Sequence, residues 1–435
     1  MHCSKYSMHW SKYSKGGSLL SFFLAVVIVN QISRTAFRLP MSIYYAVLIA
    51  IGGLVLVRAS PLKANMKMFL LWGCMWVSIL FNINTIPPIY KVSYRTLSFF
   101  LVMLAFGPFF NNERLFVFRI KMLNHLNLLL LGLTILCFFG KIAGGGGSDA
   151  NGYYYGFSIH PMVLGSVAGC TFVNCLHEAA EAGTRKSAQI WVFLSCIALL
   201  TGFLASSRVS LGASCCGAVV YLLKRYRGHY GQGFLFVGAF AVAMVICMQF
   251  EVDFWGGIRN KIGPKISIHE IASSREVKWN DRLAEFRHSP IFGVGAHSIN
   301  PEVAEDTDGL YTGMVEPGNA WLFFLSSMGI LGFLAFSILF WPPVWCLWRF
   351  SKSRSDGTLL LAQLVFYGVY MNAEAHITSA GDYTYAYAWL VIALVQRENW
   401  GYMKGRFLSM SGALRIRNGQ SSRRLEVAGG YRKRL

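Results

Sequence analysis

Arg275, Lys278 and Arg282 fall in one stretch bounded by Ser273 and Pro290, and their types and spacing suit the recognition of a phosphate-like anion. Ser273, with Glu276 three residues on, has the form of a capping box, so a helix opens there. Pro290 closes it and biases Ser289 away from helical geometry. At about 100° per residue, Arg275 and Arg282 lie within about 20° of each other, and Trp279, Leu283 and Phe286 fill an adjoining sector of about 60°. Lys278 widens the cationic stripe. A guanidinium meets a phosphate through a two-pronged donor fork. The same pattern also describes an amphipathic helix at a membrane surface whose arginines reach for headgroups. On the helix alone both readings stay open. Gly293-Val294-Gly295 follows, and paired glycines permit positive φ and close backbone approach, either to a phosphate or in a plain turn.

Other candidates are scattered. Arg208, after Ser206-Ser207, stands alone in a tight corner between two apolar stretches, where an ionisable group is costly and tends to line a functional cavity or anchor an interface. His160-Pro161 opens another apolar stretch, and Asn319 opens a third. Glu374, His376 and Asp382 cluster at a span end, where they read as polar residues meeting water more readily than as acid–base groups. Metal-ligand spacing of the H-E-x-x-H kind is absent from the sequence, and so is a G-x-x-x-x-G-K-[ST] loop. No metal or cofactor is expected, and the free energy for any chemistry resides in the substrate or in an ion gradient.

The elements that must hold these residues are membrane spans. The chain of 435 residues is 54% hydrophobic and 14% charged, with mean hydropathy +0.45 and net charge +20. Soluble domains carry about 25% charged residues. A disordered chain would be poor in apolar residues, ten cysteines are too sparse for a disulfide-stapled module, and a basic nucleic-acid protein would not be this apolar. The composition predicts an all-α polytopic membrane protein. Twelve stretches approach the roughly 20 apolar residues a crossing requires: 18–33, 41–57, 67–81, 93–110, 122–140, 158–177, 188–205, 209–223, 232–250, 319–348, 358–375 and 383–396.

Charge sets the orientation. With the N-terminus inside, the cytoplasmic segments hold 27 of the 40 Lys and Arg, and the short outer loops with their flanks hold six: Arg34, Arg38, Lys91, Arg95, Lys141 and Arg208. The remaining seven lie in a long outer loop, 251–317, which with eleven Asp and Glu has a net charge of −4. The organisation is therefore spans 1–9 over residues 1–250, an extracytoplasmic loop domain over 251–317, spans 10–12 over 318–396 and a basic cytoplasmic tail over 397–435. Lys5, Lys12 and Lys15 precede the first span, and no small-x-small cleavage site follows, so that span is read as retained. Nine of the ten cysteines fall within or beside spans, as small apolar packing residues. The tail, with Arg415, Arg417, Arg423, Arg424, Arg432, Lys433 and Arg434, reads as a segment held near anionic headgroups rather than a nucleic-acid arm.

Several of these pieces together resemble the O-antigen ligase and polymerase superfamily. Arg275-x-x-x-Trp279 with Pro290-Ile291-Phe292-Gly293-Val294-Gly295 resembles its outer-loop signature, and Ser206-Ser207-Arg208 resembles its arginine at the end of an earlier span. Gly318-Asn319-Ala320-Trp321-Leu322, followed by Gly329-Ile330-Leu331-Gly332, resembles the re-entering span. His160-Pro161-Met162-Val163-Leu164-Gly165 resembles an upstream feature, with Met162 where Asn is usual. The match in order and spacing covers roughly residues 150–345.

The resemblance implies a glycosyltransferase-C-like membrane fold and a polyprenol-dependent enzyme at the outer face of the bacterial inner membrane. Such enzymes move a glycan from undecaprenyl pyrophosphate to an acceptor without nucleotide sugar or required metal, alongside a chain-length regulator and a flippase. The family's two functional arginines carry onto Arg208 and Arg275, where guanidinium groups would stabilise the departing pyrophosphate. Arg282, Lys278, His160, Asn319, Gly293 and Gly295 then become candidate substrate-binding residues. The ligases have a His immediately before the Asn of the re-entering span; here that residue is Gly318, and Glu316 is the nearest group able to accept a proton. This departure tilts the expectation from a ligase, which attaches finished glycan to a lipid or protein, towards a Wzy-type polymerase joining repeat units. A flippase or transporter is the remaining alternative, although the 67-residue outer loop and the lack of internal repeats fit it poorly.

Overall fold

The computed structural model describes residues 15–34, 38–149, 152–226, 268–304, 318–350 and 355–396. Helices occupy every predicted span except 232–250, which lies outside these residues, as do Glu316, residues 251–267 and 305–317 of the loop, and the basic tail. In order they are α1 (Lys15–Ile32), α2 (Met41–Ala59), α3 (Met66–Phe81), α4 (Val92–Val102), α5 (Glu113–Ile142), α6 (Pro161–Glu181), α7 (Arg185–Leu204), α8 (Arg208–Arg225), α9 (Ile268–His288), α10 (Ala320–Phe350), α11 (Ser355–Tyr370) and α12 (Tyr383–Val395). Two small antiparallel ribbons, β1 (Lys63–Ala64) with β2 (Phe110–Asn111) and β3 (Gly147–Ser148) with β4 (Tyr154–Gly156), sit in connections. Among the described residues four helices are long and apolar enough to cross a membrane: Met41–Ala59, Glu113–Ile142, Arg185–Leu204 and Ala320–Arg349.

Side chains that satisfy free amide groups set the helix starts. Asn65, Asn112, Thr184 and Asp382 each accept from a backbone N–H in the first turn of α3, α5, α7 and α12. The core is built around α6 and α12. Every residue from Tyr383 to Val395 is buried, and α6 is buried almost all round, the pattern of a helix enclosed by others rather than facing lipid. Small residues bring α6 and α8 together: a Cβ on Gly165 would meet Ser207 at 2.6 Å, and one on Gly169 would meet Ser214 at 2.4 Å.

Two predicted spans are corrected. The segment 93–110 is helical only over Val92–Val102, because the chain turns beneath a buried arginine. Arg119, one of the 27 Lys and Arg counted as cytoplasmic in the sequence, has no exposed surface, and its guanidinium donates to the carbonyls of Ala105, Gly107 and Phe110 and to Asn111 Oδ1. Those carbonyls would otherwise be orphaned in an apolar setting. The second correction concerns 319–348. Residues 321 and 341 of a straight helix would stand about 30 Å apart, yet the rings of Trp321 and Trp341 stack at 5.6 Å and those of Phe324 and Phe336 at 4.0 Å. The helix is broken at Gly329 (φ 63°, ψ −165°), so α10 is a hairpin with a short leg over 320–328 and a long leg over 330–350. Of the two, only the long leg, about 20 residues, suffices to cross a bilayer.

The break exposes helix-end groups, and the 290–295 stretch satisfies them. Val294 N donates to Ser326 O (3.0 Å), Gly295 N to Ser327 O (3.1 Å), and Ile330 N to Pro290 O (2.9 Å). Contact is too close for side chains: a Cβ on Gly293 would lie 2.4 Å from Met328 N, and one on Gly329 2.2 Å from Ile291 O. The end of α3 closes the same junction, with Ser78 Oγ donating to Ser327 O (2.6 Å), Asn82 Nδ2 donating to Gly293 O (2.9 Å), and Phe81 stacked on Phe292 at 4.1 Å.

Candidate active site

The loop helix α9 is already helical at Ile268, so Ser273 lies within it rather than at its cap; its end at His288, before Pro290, is as predicted. Its packing inverts the predicted faces. Asp281, Arg282 and Glu285 are buried, whereas Trp279, Leu283 and Phe286 are only partly so. Arg282 Nη1 pairs with Glu285 Oε2 at 2.9 Å, and Glu285 Oε1 accepts from Asn300 N at 3.0 Å. Burial pushes the Glu285 carboxyl up, and Arg282 and the Asn300 amide only partly offset it. Arg282, predicted to bind substrate, is therefore held inside the protein by Glu285 of its own helix, and it is Glu285 that ties α9 to the 295–300 loop.

Arg275, two turns earlier, is placed differently. Its Nη2 lies 2.5 Å from Glu374 Oε1, its Nη1 donates to Gly318 O at 3.3 Å, and Met162 Sδ is 4.0 Å away. Trp279 Nε1 donates to the same Gly318 carbonyl at 3.3 Å. Gly318 has φ +65°, and a Cβ on it would meet Lys278 Cβ at 3.3 Å, so the stem of Lys278 packs over this glycine. Asn319, predicted to bind substrate, accepts from Leu322 N at 3.0 Å and caps α10. His160 likewise caps α6, its Nδ1 accepting from Met162 N at 3.2 Å. The amides of Gly293 and Gly295 donate to Ser289 O and Ser327 O, so these glycines provide close approach at the hairpin junction rather than a phosphate cradle.

Arg208 is the exposed first residue of α8. Ser207, beside it, packs on Gly165, one turn along α6 from the Met162 that Arg275 touches. Arg275 and the residue preceding Arg208 therefore both pack near the His160 end of α6.

Opposite Arg275, the turn between α11 and α12 supplies a set of groups that sequence reasoning assigned to a solvated helix end. Glu374 Oε2 lies 3.5 Å from His376 Nε2, and His376 Nδ1 lies 2.5 Å from Asp382 Oδ2. Asp382 Oδ1 accepts from Thr384 N at 2.9 Å. The side chains of Glu374 and Asp382 are 10% and 12% exposed, against 22% for Arg275 and 27% for His376, so solvent reaches the cations before the carboxylates. Burial alone would raise Glu374, but the hydrogen bond and charge of His376, then Arg275, hold it below the usual carboxylate range. Burial alone would lower His376, but Asp382 and then Glu374 outweigh it and lift the imidazole to about 10. Asp382 is likewise held low against burial, by His376 and then by the Thr384 amide. The set is an alternating row of charges, Arg275, Glu374, His376 and Asp382. His297 is no rival, since burial and then Arg95 push it down to about 3. The signal that would have found Glu374 is its partnership with Arg275 across 99 positions of sequence, which periodicity cannot reveal.

Residues 193–337 match the family model described as O-antigen ligase. Over that stretch, a third of the chain, the sequence is similar to O-antigen ligases. The matched stretch spans Arg208, the loop helix with Arg275, the glycine junction and the apex of the α10 hairpin, while Glu374, His376 and Asp382 follow it in the chain. The O-antigen ligase match points to glycan transfer in O-antigen assembly, and the apolar helices fit a multi-pass bacterial membrane protein. No curated protein matches the chain.

Proposed function

We propose that the chain polymerises oligosaccharide repeat units linked to undecaprenyl pyrophosphate into O-antigen or exopolysaccharide. The reaction takes place at the outer face of the bacterial inner membrane, with both termini cytoplasmic. The acceptor hydroxyl of one unit attacks the anomeric carbon of another, the bond from that carbon to the pyrophosphate breaks, and the lipid pyrophosphate leaves. Arg275 and Arg208, both near the same end of α6, bind the pyrophosphate and stabilise the charge it gains. No metal is needed for this role, because two guanidinium groups supply the positive field. A flippase and a chain-length regulator are the partners such a polymerase requires.

The observation that carries the polymerase reading is Gly318. The position that holds His in the ligases has a left-handed backbone, φ +65°, with the Lys278 stem 3.3 Å from where a Cβ would sit. The site is built without that imidazole. Transfer of finished glycan to a lipid or protein is the second reading, favoured by the description of the matching family.

The experiment is deletion of the gene followed by gel analysis of the cell's glycans. A single attached repeat with the ladder lost supports polymerisation. Full-length polymer stranded on its lipid carrier supports ligation instead, and repeat units trapped on the cytoplasmic side support a flippase. On complementation, Arg275→Ala and Arg208→Ala insert normally but lower product by about 100-fold or more. The lysine variants recover only part, because the two-pronged fork is lost. Normal polymer from either alanine variant refutes the pyrophosphate assignment.

A further inference from the structure

Glutamate 374 directs its two oxygens at two different cations, Oε1 at Arg275 (2.5 Å) and Oε2 at His376 (3.5 Å). His376 is held from its other side by Asp382 (2.5 Å), which is itself fixed as the cap of α12, and its ring lies nearly parallel to that of Tyr370 at 6.2 Å. Glu374 is thus the carboxylate bonded to the arginine that meets the leaving group, at a site whose Gly318 has no side chain to take a proton.

Resting on the glycan transfer proposed above, we propose that Glu374 is the proton acceptor of that reaction. As the acceptor oxygen bonds to the anomeric carbon, its proton passes to Glu374, and the electron pair of the breaking bond leaves with the pyrophosphate. Protonation also removes the charge that holds Arg275, so the guanidinium turns fully to the pyrophosphate in the same step. A weak base suffices, because a hydroxyl becomes acidic as its oxygen forms the new bond. His376 and Asp382 are positioning residues: the imidazolium keeps Glu374 ionised before the step, and Asp382 fixes the ring. Arg275 from α9, Tyr370 from α11 and His376 face the carboxylate, and Tyr44 from α2 faces Asp382.

The test uses full-length protein in the deletion strain, with sugar-free undecaprenyl pyrophosphate as the binding probe for purified protein. Glu374→Gln retains an acceptor for Arg275 and accumulates normally, yet polymer falls about 100-fold or more. It binds undecaprenyl pyrophosphate several-fold more tightly, since the competing charge is gone, and Glu374→Asp recovers part of the polymer. His376→Gln moves the acid limb of the rate profile to higher pH, which a purely structural role would not do. Polymer within about threefold of wild type in Glu374→Gln overturns the proposal. So does weakened lipid binding in that variant, which would reduce Glu374 to a strut for Arg275. A loss confined to Glu316→Gln moves the proton to Glu316 and overturns it equally. If Arg275→Ala also leaves polymer intact, glycan transfer itself fails; if Arg275→Ala abolishes polymer and Glu374→Gln does not, only the proton assignment falls.

Discussion

At Gly318 the backbone takes φ +65°, a region that costs an L-residue with a Cβ about 1–2 kcal/mol before any contact is counted. Its carbonyl accepts from both Arg275 and Trp279, so strain here displaces the arginine. Gly318→His, which installs the ligase imidazole, is therefore expected to destabilise the protein by about that amount and to lower polymer rather than create ligase activity. Thermal unfolding in detergent and the glycan gel check both, and a stable variant that transfers finished glycan would count against the polymerase reading. The charge row gives a pH prediction. His376 has its pKa raised from 6.5 to about 10, so its contribution to stability is complete below 6.5 and is lost as pH rises through about 10. Glu374 and Asp382, held below 4.5 and 3.8, contribute fully above those values and lose their contribution as pH falls through their lowered pKa values. The melting temperature should decline from neutral pH towards pH 10, and His376→Gln should flatten that decline; equal alkaline slopes would exclude the imidazolium. Arg275 could be singled out from the sequence because its motif is local. Its partner could not, because Glu374 is brought to it only when the turn between α11 and α12 folds against α9. Arg282 shows the converse: a spacing of seven correctly put it on one stripe with Arg275, but which part of that stripe is buried depends on what the helix packs against.

Among elements, the α10 hairpin gives the glycine-rich motifs a mechanical reason. Gly293 and Gly295 let the 290–295 stretch approach the broken helix, Gly329 makes the reversal, and Gly332 admits Met328, whose Cβ would lie 2.1 Å from a Cβ placed there. The length of segment 319–348 hinted at this, since a crossing needs only about 20 residues. Hydropathy cannot show where an apolar run turns back, because both legs are equally apolar. Gly329→Ala, with positive φ and a carbonyl at 2.2 Å, is expected to cost about 2–4 kcal/mol and to deplete folded protein. Gly212→Ala, mid-helix in α8 with open space around it, should be neutral or stabilising by up to about 1 kcal/mol. Fluorescence-detected size exclusion of the two variants decides it, and equal recovery would show that the hairpin tolerates a side chain at its apex.

Across the whole molecule, polar groups divide into those that assemble the helices and those proposed to orient the chain or to react. Where α6 and α8 end, Arg225 pairs with Glu181 at 2.6 Å, and Lys224 lies 3.9 Å from the ring centre of Trp348, with Trp345 exposed one turn earlier on the same leg of α10. Aromatic and basic side chains gathered at one level mark a membrane interface, the cytoplasmic one in the proposed orientation. Midway along, four helices meet through side chains: Asn174 donates to Asn127 Oδ1 (3.0 Å), Tyr387 to Asn127 Oδ1 (2.6 Å), and Gln363 to Asn174 Oδ1 (2.7 Å) and Tyr387 Oη (2.6 Å). These groups come from α5, α6, α12 and α11, and in the sequence each is an isolated polar residue in an apolar span. Removing one leaves the others unsatisfied in an apolar interior, which costs about 1–3 kcal/mol, although hydrogen bonds within membranes average nearer 0.6 kcal/mol. Asn174→Leu should therefore lower the amount of folded protein while each surviving molecule makes polymer at the normal rate. Arg275→Ala should do the reverse, leaving protein level intact and removing polymer. Polymer per folded molecule, measured for both variants in the deletion strain, separates assembly from reaction; a fall in that ratio for Asn174→Leu would mean that the polar node takes part in transfer as well as in holding the helices together.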